Sequence, residues 1–259
     1  MDIDKEWITK PLPMVAHRGL HDAKNGIIEN SIDAITAAID HGFGIEIDVQ
    51  LSQDDKVIVF HDFDLERLTG HKGHPRDLCS EALTQIQLLS TPNTIPTLDM
   101  VLALIPINIP IFIEIKVDET RDGRKYIKTI IEKIELICKN SNLAQIAIMS
   151  FNPQIYQIGI AMDIAHPLGL IAEWDFTAKH WLALSEKQRR SRRFMVSRLA
   201  KKPDFISYDV NARHNFIFKL WQFFQPIPEC YWTVKNPKLA YSLLKKKKIP
   251  TFEGFRPRA

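Results

Sequence analysis

The sequence predicts an α/β protein: a (β/α)8 TIM-type barrel with a small insertion after the second strand. Short apolar strands alternate with helix-like segments along nearly the whole chain, the pattern of a parallel sheet covered by helices. The strand candidates number eight, which suits a closed barrel better than an open doubly wound sheet. No repeat, low-complexity tract or Pro/Gly-rich linker divides the 259 residues, so 1–259 is read as one domain, a length ordinary for a single barrel.

In chain order the strands are expected at Met14–His17, Gly44–Gln50, Pro110–Lys116, Gln145–Ser150, Leu168–Ala172, Asp204–Val210, Cys230–Val234 and Ile249–Phe252. The second reads Ile45-Glu46-Ile47-Asp48-Val49, so period-two alternation puts the aliphatics on one face and both acids on the other. The third repeats this, with Ile111, Ile113 and Ile115 opposite Glu114 and Lys116. Helices are expected near Ser31–His41, Thr97–Leu104, Arg121–Lys139, Pro153–Met162, Thr177–Leu199, Phe216–Phe224 and Pro237–Lys245. The insertion spans about 57–96: the apolar run Val57 to Phe60, then a loop-rich segment. Little chain follows the eighth strand, so residues 1–12 are expected to cover that end of the barrel.

Composition is ordinary globular usage, with 45% hydrophobic and 25% charged residues. A net charge of +3 is too small to argue for nucleic acid. The excess is concentrated in Lys187 to Arg193 and Lys245 to Lys248, which read either as solvated helix faces or as attraction to anionic lipid or a phosphorylated substrate. Cys79, Cys138 and Cys230 form neither a disulfide framework nor a Cys-x-x-Cys pair, which fits a reducing compartment. The N-terminus has no apolar signal region, and the uncharged run Asn140 to Met162 is too polar to span a membrane. A cytoplasmic location, with membrane contact at most peripheral, is the expectation.

In a barrel the aliphatic faces pack against helices and Glu46, Asp48, Glu114 and Lys116 point inward, near the strand ends that carry barrel active sites. Inward carboxylates are costly unless a cation or hydrogen bonds compensate them. An all-oxygen donor set suits a hard cation, Mg²⁺ or Ca²⁺, rather than zinc. His17 ends the first strand and His61 follows Val57 to Phe60; beside the acids, two imidazoles can serve as general base and general acid. Arg18 can hold a phosphate oxygen, and Gly19 lets backbone approach closely. The other seven histidines are read as having no comparable setting.

In order along the chain stand His17-Arg18-Gly19, Glu29-Asn30-Ser31, Glu46-x-Asp48, His61-Asp62, Pro96-Thr97-Leu98, Glu114-x-Lys116, Ser150-Phe151 and Trp232-Thr233-Val234. Each motif is weak alone, but the ordered set, from residue 14 to about 236, resembles the glycerophosphodiester phosphodiesterases. The resemblance implies a TIM-type barrel with an insertion after the second strand. It implies Glu46, Asp48 and Glu114 as ligands of one Mg²⁺ or Ca²⁺, and His17 and His61 as the acid–base pair. It further implies that Arg18 and Lys116 neutralise phosphate, and that Phe151 and Trp232 lie on the glycerol or leaving-group side. Three positions depart from the family pattern: Ile28 stands where a proline is usual, Lys235 separates Val234 from Asn236, and Thr251-Phe252-Glu253 replaces a common Thr-Asp pair.

The expected reaction is hydrolysis of a small glycerophosphodiester to glycerol 3-phosphate and an alcohol. His17 would deprotonate the nucleophile, water or the substrate's own 2-hydroxyl, and His61 would protonate the departing alkoxide. The first alternative keeps the chemistry on a lysolipid, as in lysophospholipase D-like enzymes. Trp181, Leu182, Leu184, Phe194, Met195 and Leu199, interleaved with Arg189 to Arg193, would then face lipid rather than core. The second is a barrel that binds a phosphorylated ligand without turnover.

Overall fold

Inward-facing aromatics meet first near the start of the barrel strands. Trp7 packs edge-on against Phe112, with centroids 6.0 Å apart, and Phe112 packs likewise on Phe205 at 5.7 Å. Such ring pairs are worth about 0.5–1.5 kcal/mol each beyond the area they bury. With Val15, Ala147, Met149, Ile171, Cys230, Ile249 and Ile8 they form the buried interior cluster. The segment before the first strand thus plugs the barrel from below, through the short 3-10 helix Lys5–Thr9. The buried carboxylates Asp48 and Glu114 lie toward the opposite, C-terminal ends of their strands.

These features belong to a computed structural model that describes residues 5–174, 185, 186, 189, 203–224 and 226–257. Its strands are β1 (Val15–Ala16), β2 (Gly44–Leu51), β3 (Val57–Val59), β4 (Ile111–Ile115), β5 (Ile146–Ser150), β6 (Leu168–Ala172), β7 (Phe205–Asp209), β8 (Glu229–Val234) and β9 (Ile249–Phe252). All but β3 run parallel in the order β1-β9-β8-β7-β6-β5-β4-β2, and β1 pairs with β2 to close the ring. β3 pairs antiparallel with the far end of β2, Val49 opposite Val59. The eight predicted strands are the eight of the ring. β1 is shorter than predicted because Arg18 and Gly19 take positive φ straight after it and turn the chain.

Outside the ring, Ile45, Ile47, Val49, Ile111, Ile113 and Ile115 pack on helix residues in a continuous cluster. The helices are α1 (Ile32–Asp40), α2 (Glu66–Thr69), α3 (Ser80–Leu83), α4 (Leu98–Leu102), α5 (Arg124–Asn140), α6 (Pro153–Ala161), α7 (Phe216–Phe224) and α8 (Pro237–Lys245). One device starts two of them. Asn152 caps α6 and Asn236 caps α8 by accepting a backbone hydrogen bond, each followed by proline at the first turn, where its missing N–H costs nothing. The insertion holds β3, α2 and α3 over its own apolar cluster of Ile28, Ile58, Phe60, Leu65, Leu68, Leu83, Leu88 and Ile95. The predicted helix Thr177–Leu199, with the basic run Lys187 to Arg193, lies outside the described residues except at positions 185, 186 and 189. Among the described residues no helix is long and apolar enough to cross a membrane.

His166, before β6, is 1% exposed, and Glu135 Oε2 lies 3.9 Å from its Nε2. Burial lowers its pKa despite Glu135. The unfolded chain therefore binds the proton more readily, and stability falls as pH drops below the unfolded value of about 6.5, at up to about 1.4 kcal/mol per pH unit. The loss levels off once the folded-state pKa is passed. A His166→Gln variant is expected to lose less of its urea midpoint than the parent between about pH 7 and pH 5. Parallel pH profiles would refute this.

Candidate active site

The turn after β1 brings the first site residues together. Gly19 has φ +77, and a Cβ there would meet the Ala34 backbone at 2.7 Å, so only glycine lets the turn pack on α1. Behind it, Asn30 (φ 58) donates from its backbone to Arg18 O at 2.9 Å and from Nδ2 to Asp48 Oδ2 at 2.9 Å. Ser31 caps α1 by accepting from Ala34 N. The Glu29-Asn30-Ser31 triplet therefore orients a site carboxylate and starts a helix.

Register does the next step. Asp48 of β2 lies directly opposite Glu114 of β4, and Glu46 points inward one pleat earlier. All three are buried, at 2%, 1% and 7% exposure for Glu46, Asp48 and Glu114. Each offers an oxygen, and these lie within 4.8 Å of one another. Two cations face them. Lys116 Nζ is 2.6 Å from Glu114 Oε1 and 3.1 Å from Asp48 Oδ1, while Arg18 Nε is 3.2 Å from Asp48 Oδ2 and its backbone N–H donates to Glu46 Oε2 at 2.9 Å.

The electrostatics divide the three acids. Burial favours the neutral form of Asp48, but Lys116, His61 and Arg18 outweigh it and hold its pKa far below the usual range. Burial pushes Glu46 well above that range, and Asp48 and Glu114 push it further. Glu114 is likewise raised, chiefly by burial. Glu46 Oε1 is buried with no hydrogen-bond partner. An enclosed oxygen without a partner, beside two further carboxylates, is the environment a hard divalent cation compensates, and the all-oxygen donor set matches Mg²⁺ or Ca²⁺.

The two histidines are held alike. His17 Nδ1 lies 2.7 Å from Glu253 Oε2, and His61 Nδ1 lies 2.6 Å from Asp62 Oδ1. With Nδ1–H directed at a carboxylate, Nε2 is the free lone pair on each ring; that of His17 is 3.9 Å from Glu46 Oε2. Burial lowers both imidazoles below the ordinary histidine value. The supporting acids are secured in turn. Arg67 of α2 donates Nε to Asp62 Oδ2 at 2.5 Å and Nη2 to Glu29 Oε1 at 2.8 Å, and Glu29 Oε1 also accepts from Arg18 Nη1 at 2.6 Å. Buried Gln50 donates to the carbonyls of Phe60 and Asp62, fixing the backbone that carries His61. Phe151, just past β5, and Trp232, within β8, meet perpendicularly with centroids 5.3 Å apart on the interior cluster.

The sequence-selected residues thus gather at one end of the barrel, and the structure adds others. Glu253, marked from the sequence only as a departure, is the partner of His17 and is also 2.8 Å from Lys235 Nζ. His21 corrects the reading that no other histidine has a comparable setting: its Nε2 is 3.8 Å from Glu253 Oε2. Its spacing, four residues after His17 and past a glycine turn, was the only signal. Arg67 gave none, because only the folded insertion brings it to Asp62.

Known proteins share this architecture. A phosphodiesterase of Oleispira antarctica, solved with the product sn-glycerol-3-phosphate, superposes with a TM-score of 0.70 at 20% identity over 93% of both chains. A glycerophosphodiester phosphodiesterase of Thermotoga maritima gives 0.66 at 21% identity, again over 93% of each. At such identities the likeness establishes the fold. By sequence, the glycerophosphodiester phosphodiesterase of Caldanaerobacter subterraneus is 39% identical over 74 residues, 28% of this chain and 29% of that one. That of Bacillus altitudinis is 42% identical over 69 residues, 26% of this chain and 27% of its own. These alignments therefore span less than a third of either relative. The family profile reaches much further, matching residues 17–247, and by that match the chain belongs to the glycerophosphoryl diester phosphodiesterase family.

Proposed function

We propose that this chain hydrolyses a glycerophosphodiester to glycerol 3-phosphate and an alcohol, with one Mg²⁺ or Ca²⁺ held by Glu46, Asp48 and Glu114 and with His17 and His61 as the acid–base pair. One observation carries the reading: two imidazoles with carboxylate-bound Nδ1 atoms stand beside three buried carboxylates, one of which has an unpartnered oxygen. Family membership supports it.

A phosphodiester anion repels nucleophiles, so the site has to offset negative charge. A bound divalent cation supplies Lewis-acid charge toward a non-ester oxygen. Arg18 and Lys116, both half-buried and ion-paired within the cluster, add fixed positive charge to the side of the phosphate. One imidazole takes the nucleophile's proton at Nε2, and the other delivers a proton to the departing alkoxide. Asp62 and Glu253 keep each ring in the tautomer that exposes Nε2. The Phe151–Trp232 pair forms an apolar wall for the glycerol or the leaving alcohol.

The expected result is release of glycerol 3-phosphate from glycerophosphocholine, abolished by EDTA and restored by Mg²⁺ or Ca²⁺. No release from any glycerophosphodiester by folded, cation-loaded protein would overturn the proposal. A lysolipid substrate is the second reading. Its support is an apolar stripe on α7, where Phe216, Phe223 and Phe224 are 75%, 78% and 70% exposed and Leu220 lies between them. Release from lysophosphatidylcholine, with sedimentation on vesicles lost in a Phe223→Ser/Phe224→Ser variant, would favour it. The patch expected around Trp181 and Phe194 lies outside the described residues.

A further inference from the structure

We infer a second metal site, selective for zinc-like cations and inhibitory, formed by His17 Nδ1, His21 Nε2 and Glu253 Oε2. One donor atom from each of the three residues lies within 4.8 Å of the others. Two imidazole nitrogens and one carboxylate oxygen form a donor set that zinc takes in tetrahedral geometry, with water as the fourth ligand. It differs in kind from the all-carboxylate cluster on the other edge of the His17 ring, which suits a hard cation. The two sites select different metals by donor chemistry.

The spacing agrees. Tetrahedral bonds of about 2.0–2.2 Å set neighbouring donors about 3.3–3.5 Å apart. Glu253 Oε2 lies 2.7 Å from His17 Nδ1 and 3.8 Å from His21 Nε2, on either side of that value. Shifts of about half an ångström in side chains that are 13%, 22% and 20% exposed complete the site. A second observation is independent of the spacing: His21 Nε2 is enclosed and makes no hydrogen bond, since 3.8 Å to Glu253 is too long for one. A nitrogen so enclosed is what a metal would satisfy. Lys235 opposes a cation here, but it binds the other oxygen, Glu253 Oε1, and is 71% exposed, so it can swing into solvent.

Binding would be inhibitory because it uses the atom that positions His17. Nδ1 would exchange its hydrogen bond with Glu253 for a metal bond, and its proton would pass through solvent to Nε2, so the ring stays neutral but loses the free Nε2 lone pair that would act as base. This consequence rests on the acid–base role proposed for His17; the binding itself does not.

The test separates the two. In equilibrium dialysis with saturating Mg²⁺ and no substrate, the parent protein is expected to retain one Zn²⁺ per chain. A His21→Asn variant should bind it about 100-fold more weakly or worse, since even an outer-sphere partner is worth about 10–100-fold in metal affinity. Glu46→Gln should retain the zinc. Equal zinc binding by parent and His21→Asn, or loss of binding in Glu46→Gln alone, would overturn the site. With glycerophosphocholine and Mg²⁺, zinc should inhibit the parent and leave His21→Asn uninhibited, each rate being taken relative to the same protein's own zinc-free rate. Equal inhibition of both would overturn the inhibitory role. A His21→Gln variant, checked by thermal melt, guards against a folding defect in either measurement.

Discussion

Glu46→Gln is expected to remove about 10²–10³-fold or more of the phosphodiesterase rate, and to leave the metal-free protein at least as stable as before. The two effects have one cause. Glu46 is 2% exposed, shares its site with Asp48 and Glu114, and has one oxygen with no hydrogen-bond partner. Its pKa is raised by burial first and by its two acidic neighbours next. Between the unfolded value and this raised one the folded state binds more protons than the unfolded chain. Metal-free stability therefore falls as pH rises through that window, because ionising Glu46 costs the folded state more than the unfolded chain. Glutamine keeps the shape and the acceptor for Arg18 N–H but carries no charge. In EDTA its melting temperature should match or exceed that of the parent; in Mg²⁺ or Ca²⁺ the parent should gain and the variant should not. A variant that keeps both full activity and the cation-dependent rise in melting temperature would remove Glu46 from the metal site.

His17→Gln is expected to lower kcat by about 10²–10⁴-fold, the usual contribution of a positioned acid or base. The informative companion is Glu253→Gln. It spares the imidazole but offers Nδ1 an amide, which can accept or donate and no longer dictates the tautomer. In the serine-protease triad the comparable carboxylate-to-amide change costs about 10⁴-fold through the wrong tautomer. Here His17 makes a single 2.7 Å contact with a carboxylate that is also neutralised by Lys235, so a smaller loss is expected, confined to kcat with KM unchanged. Glu253→Asp should recover part of it. A Glu253→Gln enzyme indistinguishable from the parent would show that the ring needs no partner.

The strands were legible because alternation in Ile45 to Val49 and Ile111 to Ile115 marks two faces before any contact is known. It also showed which acids turn inward. What alternation does not reveal is register. That Asp48 sits opposite Glu114 rather than one residue away depends on how β2 and β4 slide. Glu253 and His21 were hidden for a related reason. A charged residue after an apolar strand carries no mark of its partner when that partner is 236 positions away. Arg67 was more deeply hidden, since it reaches Asp62 and Glu29 only when the insertion folds over β3. The trimmed helix ends have local causes, such as Asp118 accepting the backbone N–H groups of Arg121 and Asp122 just before α5.

The pairing of β1 with β9 has a kinetic corollary. His17 follows the first strand of the ring and Glu253 the last, so their hydrogen bond forms only when the chain's two ends meet. Contacts of such long range form late, because loop closure costs entropy before they return anything. Six strands can be paired and both carboxylate-bearing strands in place while the His17 imidazole still turns freely. During refolding, recovery of turnover should therefore lag the return of helical signal, and catalysis becomes a clock for the moment the circle closes.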